Sequence, residues 1–199
     1  KTVEKYYSNI LNKRNEDTVG IIGAGVGGLF TAALLAERGY QVTLLEQLSV
    51  TGGGLYSYQR LGAEWLTGTH VICGMEDGGV VKNLLERLNI SIPVEETFFV
   101  FFPIDLIGEH ELEYFNTGAF RLIGGTQYLV DQLTKYIVRN GGRILNGEHI
   151  VKVNINSNRV DSIETTTSKF YFANVVSSIH PNQLLSIVMT RLRATPLIF

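Results

Sequence analysis

The chain reads as an α/β protein built on a parallel sheet, with a smaller α+β insertion. Three features predict that class. Val19–Gln47 runs strand, glycine turn, helix, strand. A second helix near residues 128–138 leads into another short strand. Phe170–Ser177 then adds a further apolar strand. Strands that alternate with helices favour parallel pairing, because parallel neighbours need a crossover and a helix supplies it.

Val19–Ile22 is a short apolar strand. Gly23-Ala24-Gly25-Val26-Gly27-Gly28 follows as a G-x-G-x-x-G turn, and an Ala/Leu-rich helix runs from it to Gly39. Gln41–Leu45 is the next strand and closes on Glu46. In such a unit Gly23 permits the tight turn and Gly25 lets a pyrophosphate approach the backbone beside Ala24. Gly28 lets the helix lie close to the sheet. The helix N-terminus offers N–H groups without partners and the positive end of a dipole. Glu46 stands roughly 20 residues past the glycines, where an acid accepts hydrogen bonds from a ribose diol. It is expected at an exposed strand end. The run predicts nucleotide binding.

Composition excludes several classes. A chain of 199 residues with 45% hydrophobic content has a globular core. A net charge of −2 gives no sign of a nucleic-acid partner. The single cysteine, Cys73, excludes an internal disulfide and fits a reducing, cytoplasmic setting; it reads as a small buried hydrophobe. No apolar stretch reaches the roughly 20 residues that span a bilayer, which leaves peripheral membrane contact open. The polar segment 1–16 reads as a leader or a short helix ahead of the first strand.

Beyond Glu46 comes a second glycine cluster, Gly52-Gly53-Gly54-Leu55-Tyr56-Ser57, and then Gly62-Ala63-Glu64-Trp65-Leu66-Thr67-Gly68-Thr69-His70. Nicotinamide domains seldom place a second close backbone approach there. The arrangement resembles the flavin-dependent amine oxidase and phytoene desaturase superfamily, which carries G-G-R-x-x-S and then G-x-x-x-D-x-G. Gly68-Thr69-His70 looks most like the branch of carotenoid desaturases and isomerases and retinol saturase. The resemblance implies a Rossmann-like FAD-binding domain, with Gly53, Gly54, Thr69 and His70 near the cofactor. His70 is the catalytic candidate it offers. Two positions depart from the pattern: Gly54 replaces the arginine of G-G-R, and Leu66 replaces the aspartate of D-x-G. One removes a cation near the flavin or pyrophosphate, the other a buried polar anchor.

The later part of the chain resembles the same flavoenzymes. Gly124-Gly125 leads into a helix that places Leu129, Leu133, Tyr136 and Ile137 on one face, stopped by Gly141-Gly142. Arg143–Leu145 is a short strand. His149–Ile155 and Arg159–Thr165 form a hairpin around Asn156-Ser157-Asn158, and Phe170–Ser177 returns as one buried strand. By resemblance the backbone of Val151 faces the adenine; by pattern Val151 is an ordinary core valine, and both readings are compatible. Val80–Asn89 reads as a short amphipathic helix. Phe98–Phe102 is read either as a buried strand or as the lining of an apolar cavity.

The expected organisation is a leader over 1–16, a discontinuous FAD/NAD(P)-binding-like domain over 17–75 and 123–199, and a partial substrate-domain insertion over 76–122. Residues 19–22, 42–46 and 173–177 are expected to share one sheet. Against the family pattern the chain reads as truncated or as skipping segments. The implied activity is that of an FAD-dependent oxidoreductase acting on an apolar, polyene-like substrate by hydride transfer. An amine oxidase of the same superfamily, a nicotinamide dehydrogenase and a non-catalytic nucleotide-binding fragment are the alternatives. Residues alone leave the substrate, electron acceptor and oligomeric state open. His70, His110, His149 and His180 lack metal-ligand spacing, and no nucleophile elbow or G-x-x-x-x-G-K phosphate loop is present. Asp105, Glu109, His110, Glu111 and Glu113 read as a solvated acidic face.

Overall fold

The two central strands of the parallel sheet, of five and six residues, are buried along almost their whole length, as strands covered on both faces are. β1 (Thr18–Ile22) pairs in parallel with β2 (Gln41–Glu46), and helix α1 (Val26–Glu37) connects them. This computed structural model describes residues 17–69, 71–97 and 118–188. Ile21, Leu44 and Leu45 are almost completely shielded from solvent, as are Leu29, Ala32 and Ala33 on α1. The small alanines let the helix axis lie close to the strands. Gly39, at a φ of +86°, ends the turn after α1, donating its N–H to Ala36 O.

Two strands from far along the chain complete the sheet. β11 (Asn174–Ser177) pairs in parallel with β1, matching Ile22 to Ser177. β7 (Arg143–Asn146) pairs in parallel with β2, matching Glu46 to Asn146. The strand order β11-β1-β2-β7 therefore places the fourth strand beside the first and the third beside the second. That is the doubly wound order, whose direction reverses between β1 and β11. The expected sheet of 19–22, 42–46 and 173–177 is present, and Arg143–Asn146 joins it as a fourth strand.

Phe170–Ser177 does not form one strand. β10 (Lys169–Phe170) pairs antiparallel with β9 (Arg159–Thr165), which pairs in turn with β8 (Ile150–Asn156). The chain then crosses over and re-enters the parallel sheet at Asn174. Packing explains the break. Phe170 and Phe172 stack at 6.2 Å within a core shared with Ile22, Leu45, Ile150, Val153 and Ile163. Phe172 lies against β1, where a Cβ on Gly20 would meet its ring at 2.3 Å. The β8–β9 hairpin turns on Ser157 and Asn158, both at positive φ. Helix α4 (Pro181–Val188) follows β11, and its Leu184, Ile187 and Val188 pack on the same core.

These elements belong to one compact unit, made of described residues before Gly52 and after Lys135; Gly52–Lys135 form a second. The sequence-based limits at 75 and 123 lie inside the second unit. It contains a 3-10 turn (Gly53–Leu55), the hairpin β3 (Ser57–Arg60)–β4 (Ala63–Leu66), and helix α2 (Val80–Arg87). The antiparallel pair β5 (Val94–Thr97)–β6 (Ala119–Leu122) belongs to it too. Asn89, at a φ of +53°, turns the chain after α2. Helix α3 (Gly125–Arg139) crosses the limit between the units. Its buried face is Leu129, Val130, Leu133 and Ile137, with Tyr136 half-buried beside them. Cys73 is buried. The segments 1–16 and 98–117, with Phe98–Phe102 and the acidic run, lie outside the described residues.

Candidate functional site

The carboxyl ends of β1, β2, β7 and β11 meet at one edge of the parallel sheet. Gly23 leaves β1 at a φ of +92°, and its N–H donates to Leu45 O at 2.9 Å. Hydrogen bonding between β1 and β2 thus reaches Gly23 before α1 begins. Gly25 is the residue preceding α1, in extended conformation, and contributes no capping side chain. The first-turn amides, which have no intrahelical partner, are left without a side-chain cap. Nothing lies within 4 Å of where a Cβ on Gly25 would stand, so a phosphate can approach the backbone there. Gly28 is the opposite case. A Cβ there would stand 2.0 Å from Gly23 O, so only glycine lets helix and turn meet.

Glu46 is buried, 7% exposed, and is not the exposed strand end that the sequence suggested. Ala24 N–H donates to its Oε2 at 2.8 Å and Leu48 N–H donates to its Oε1 at 2.9 Å. The reason is the register: β2 runs one residue past β1, which carries the carboxylate up beside the glycine turn. Each carboxylate oxygen has a second lone pair and can accept a further bond from a diol. Beside it, Thr51 Oγ1 donates to Asn146 Oδ1 at 3.0 Å, tying the loop after β2 to the end of β7.

Val151 is 47% exposed, so it is not a core valine. The β8–β9 ladder steps from Ile150↔Thr165 to Lys152↔Glu164 and skips it. Val151 is thus the extra residue of a bulge, where backbone groups are left outside the ladder.

Sequence reasoning missed Ser178. Its N–H donates to Ile22 O at 2.9 Å, and its hydroxyl lies 3.0 Å from Ile22 O and 2.9 Å from Gly23 O. A Cβ on Gly23 or on Gly28 would meet Ser178 Oγ at 2.9 Å. The available signal was positional: Ser178 follows the strand that flanks the glycine turn.

In the second unit, the two glycine-bearing segments are joined to each other. Thr69 N–H donates to Gly54 O at 3.1 Å, and Thr67 Oγ1 donates to Tyr56 O at 2.7 Å. A Cβ on Gly68 would stand 3.1 Å from Gly54 O. Gly53 and Thr69 are exposed; His70 lies outside the described residues. Leu66 is half-buried. With Glu64 it borders a cleft of about 600 Å³ that also includes Arg121 and Gly124–Thr126. Ser57 Oγ donates to the Glu64 carboxylate, and Arg121 pairs with Glu95 across β5 and β6.

Residues 21–88 match the NAD(P)-binding Rossmann-like domain. The fold is Rossmann-like. The human all-trans-retinol 13,14-reductase is 40% identical over 70 residues, which are 35% of this chain and 12% of that protein. The chloroplastic prolycopene isomerase of Daucus carota is 33% identical over 78 residues, 39% of this chain and 13% of the isomerase. The matched stretches thus span about an eighth of these relatives. Among solved structures, an oxidoreductase from Methanosarcina mazei superposes with a TM-score of 0.75 at 17% identity. That superposition covers 88% of this chain and 62% of the other. At that identity the likeness establishes the fold.

Proposed function

We propose that this chain supplies the nucleotide-binding part of an FAD-dependent oxidoreductase acting on an apolar, polyene-like substrate. The observation that carries the reading is the cradle at the carboxyl edge of the sheet. An open Gly25 and uncapped first-turn amides stand beside a carboxylate anchored to the same turn. In this reading the amides receive the pyrophosphate, Glu46 accepts the ribose hydroxyls, and the bulged backbone at Val151 meets the adenine. FAD is favoured over NAD by the second glycine segment, Gly52–Gly54, hydrogen-bonded to Thr69. Bound FAD supplies hydride chemistry, and the protein holds the cofactor and shields it from water.

The substrate class rests on the relatives, whose names specify retinol and prolycopene. An apolar cavity favours a polyene by removing its surface from water, about 25 cal/mol per Å². It offers a charged amine an unrepaid desolvation cost. Among the described residues no helix is long and apolar enough to cross a membrane. A cytoplasmic protein that meets a membrane surface peripherally is the setting that suits such a substrate.

The test uses the full-length protein, purified and reconstituted with cofactor. A flavin spectrum with about one FAD per chain is expected, together with spectral perturbation or turnover by retinoids or carotenoids. Tight NAD binding without FAD affinity overturns the cofactor assignment. Rapid anaerobic flavin reduction by simple amines, with no response to any polyene, moves the protein to amine oxidation.

A further inference from the structure

The Gly23–Ala24 peptide is held at both ends. Its carbonyl accepts the Ser178 hydroxyl at 2.9 Å, and its N–H donates to Glu46 Oε2 at 2.8 Å. We infer that Ser178 is a positioning residue of the nucleotide site, setting the Glu46 carboxylate and the entry to α1 through this one peptide plane. The inference rests on the nucleotide-binding reading and assigns Ser178 no contact with the nucleotide itself.

The peptide needs such a hold. Gly23 precedes it at a φ of +92°, and glycine leaves the backbone free to populate other conformations. Rotation of the plane would carry the Ala24 N–H away from Glu46 and cost a buried carboxylate one of its two donors. Ser178 is itself fixed, because its N–H is bonded to Ile22 O at the end of the β1–β11 ladder. Its single hydroxyl proton is shared between two consecutive carbonyls, Ile22 O and Gly23 O. Gly28 keeps the notch open: a side chain there would meet both Gly23 O, at 2.0 Å, and Ser178 Oγ, at 2.9 Å. The glycine of the motif therefore makes room for the hydroxyl as well as for the helix. A chain of contacts runs from β11 through the turn to β2, across the strand between them.

Ser178→Thr and Ser178→Val test this in the full-length protein, because the two side chains share a shape and differ in the hydroxyl. ADP affinity by calorimetry is the readout, with thermal unfolding in the absence of ADP alongside. The threonine variant should bind within about twofold of wild type and the valine variant about five- to tenfold more weakly, the scale of one hydrogen bond. Ser178→Ala, which adds no bulk, gives the same comparison if the valine variant does not fold. Action through the shared peptide also predicts coupling: Ser178→Val added to Glu46→Gln should weaken ADP little further than Glu46→Gln alone. Equal affinities for the threonine and hydroxyl-free variants overturn the inference. So do losses that multiply in the double variant, or a lowered unfolding temperature with ADP affinity unchanged. Wild-type protein that binds neither ADP nor FAD overturns the nucleotide reading, and this inference with it.

Discussion

At the scale of single residues, Glu46 joins the proposed nucleotide binding to folding. It lies inside, with both carboxylate oxygens bonded to backbone N–H groups. Glu46→Ala strands those donors, so it should destabilise the protein without cofactor by about 1–3 kcal/mol in urea unfolding. FAD affinity, measured on the folded fraction, should fall by a further ~1.5–3 kcal/mol. Unchanged stability would mean that the turn finds other acceptors for Ala24 and Leu48. Gly54 poses the reverse question. It is exposed, no heavy atom lies within 4 Å of its Cβ position, and its φ is not left-handed. Gly54→Arg should therefore fold with stability within about 0.5 kcal/mol of wild type, as exposed substitutions do. It should also tighten FAD binding by restoring the cation of the resembled motif. An unchanged dissociation constant would show that the missing arginine does not limit affinity.

At the scale of elements, the β3–β4 hairpin holds an unusual turn. Arg60 pairs with Ala63, and the two residues between them, Leu61 and Gly62, have φ of +54° and +76°. Positive φ at both positions is the two-residue turn whose twist suits a hairpin, and asparagine-glycine is its preferred sequence. A leucine there carries a steric penalty of about 1–2 kcal/mol, and at 92% exposure it recovers little by burial. Leu61→Asn should raise stability by about 1 kcal/mol, read from the denaturation midpoint. A loss instead would show that the leucine side chain contributes more than its left-handed backbone costs. The parallel sheet was easier to read than this hairpin. Its central strands are rich in apolar residues, and Gly23, Gly39 and Gly141 mark positions where the backbone adopts positive φ. The break after Phe170 was not readable, because an aromatic strand and an aromatic crossover have the same local pattern.

At the scale of the whole molecule, the candidate site is assembled from distant segments. Ser178 reaches Ile22 across 156 residues of sequence, and Asn146 reaches Thr51 across 95. The strand order that brings them to one edge also places the glycine turn where doubly wound folds bind nucleotides. The glycine turn and its acid were legible because their spacing is fixed by one strand, one turn and one helix. Ser178 was not, because its role exists only once β11 lies beside β1. The second glycine segment was legible as a motif, and its bond to Thr69 emerged only on folding.

Sequence by itself determined the local chemistry: a turn that only glycines can make, a helix start without a capping side chain, and an acid at the next strand end. Such features are settled by backbone sterics within a few residues. Tertiary structure decided that Arg143–Asn146 joins the parallel sheet, that Phe170–Ser177 splits between two sheets, and that Glu46 and Ser178 grip the same peptide. Those outcomes depend on which strands become neighbours. Apolar periodicity shows which face of a strand is buried, and only long-range packing selects what it is buried against.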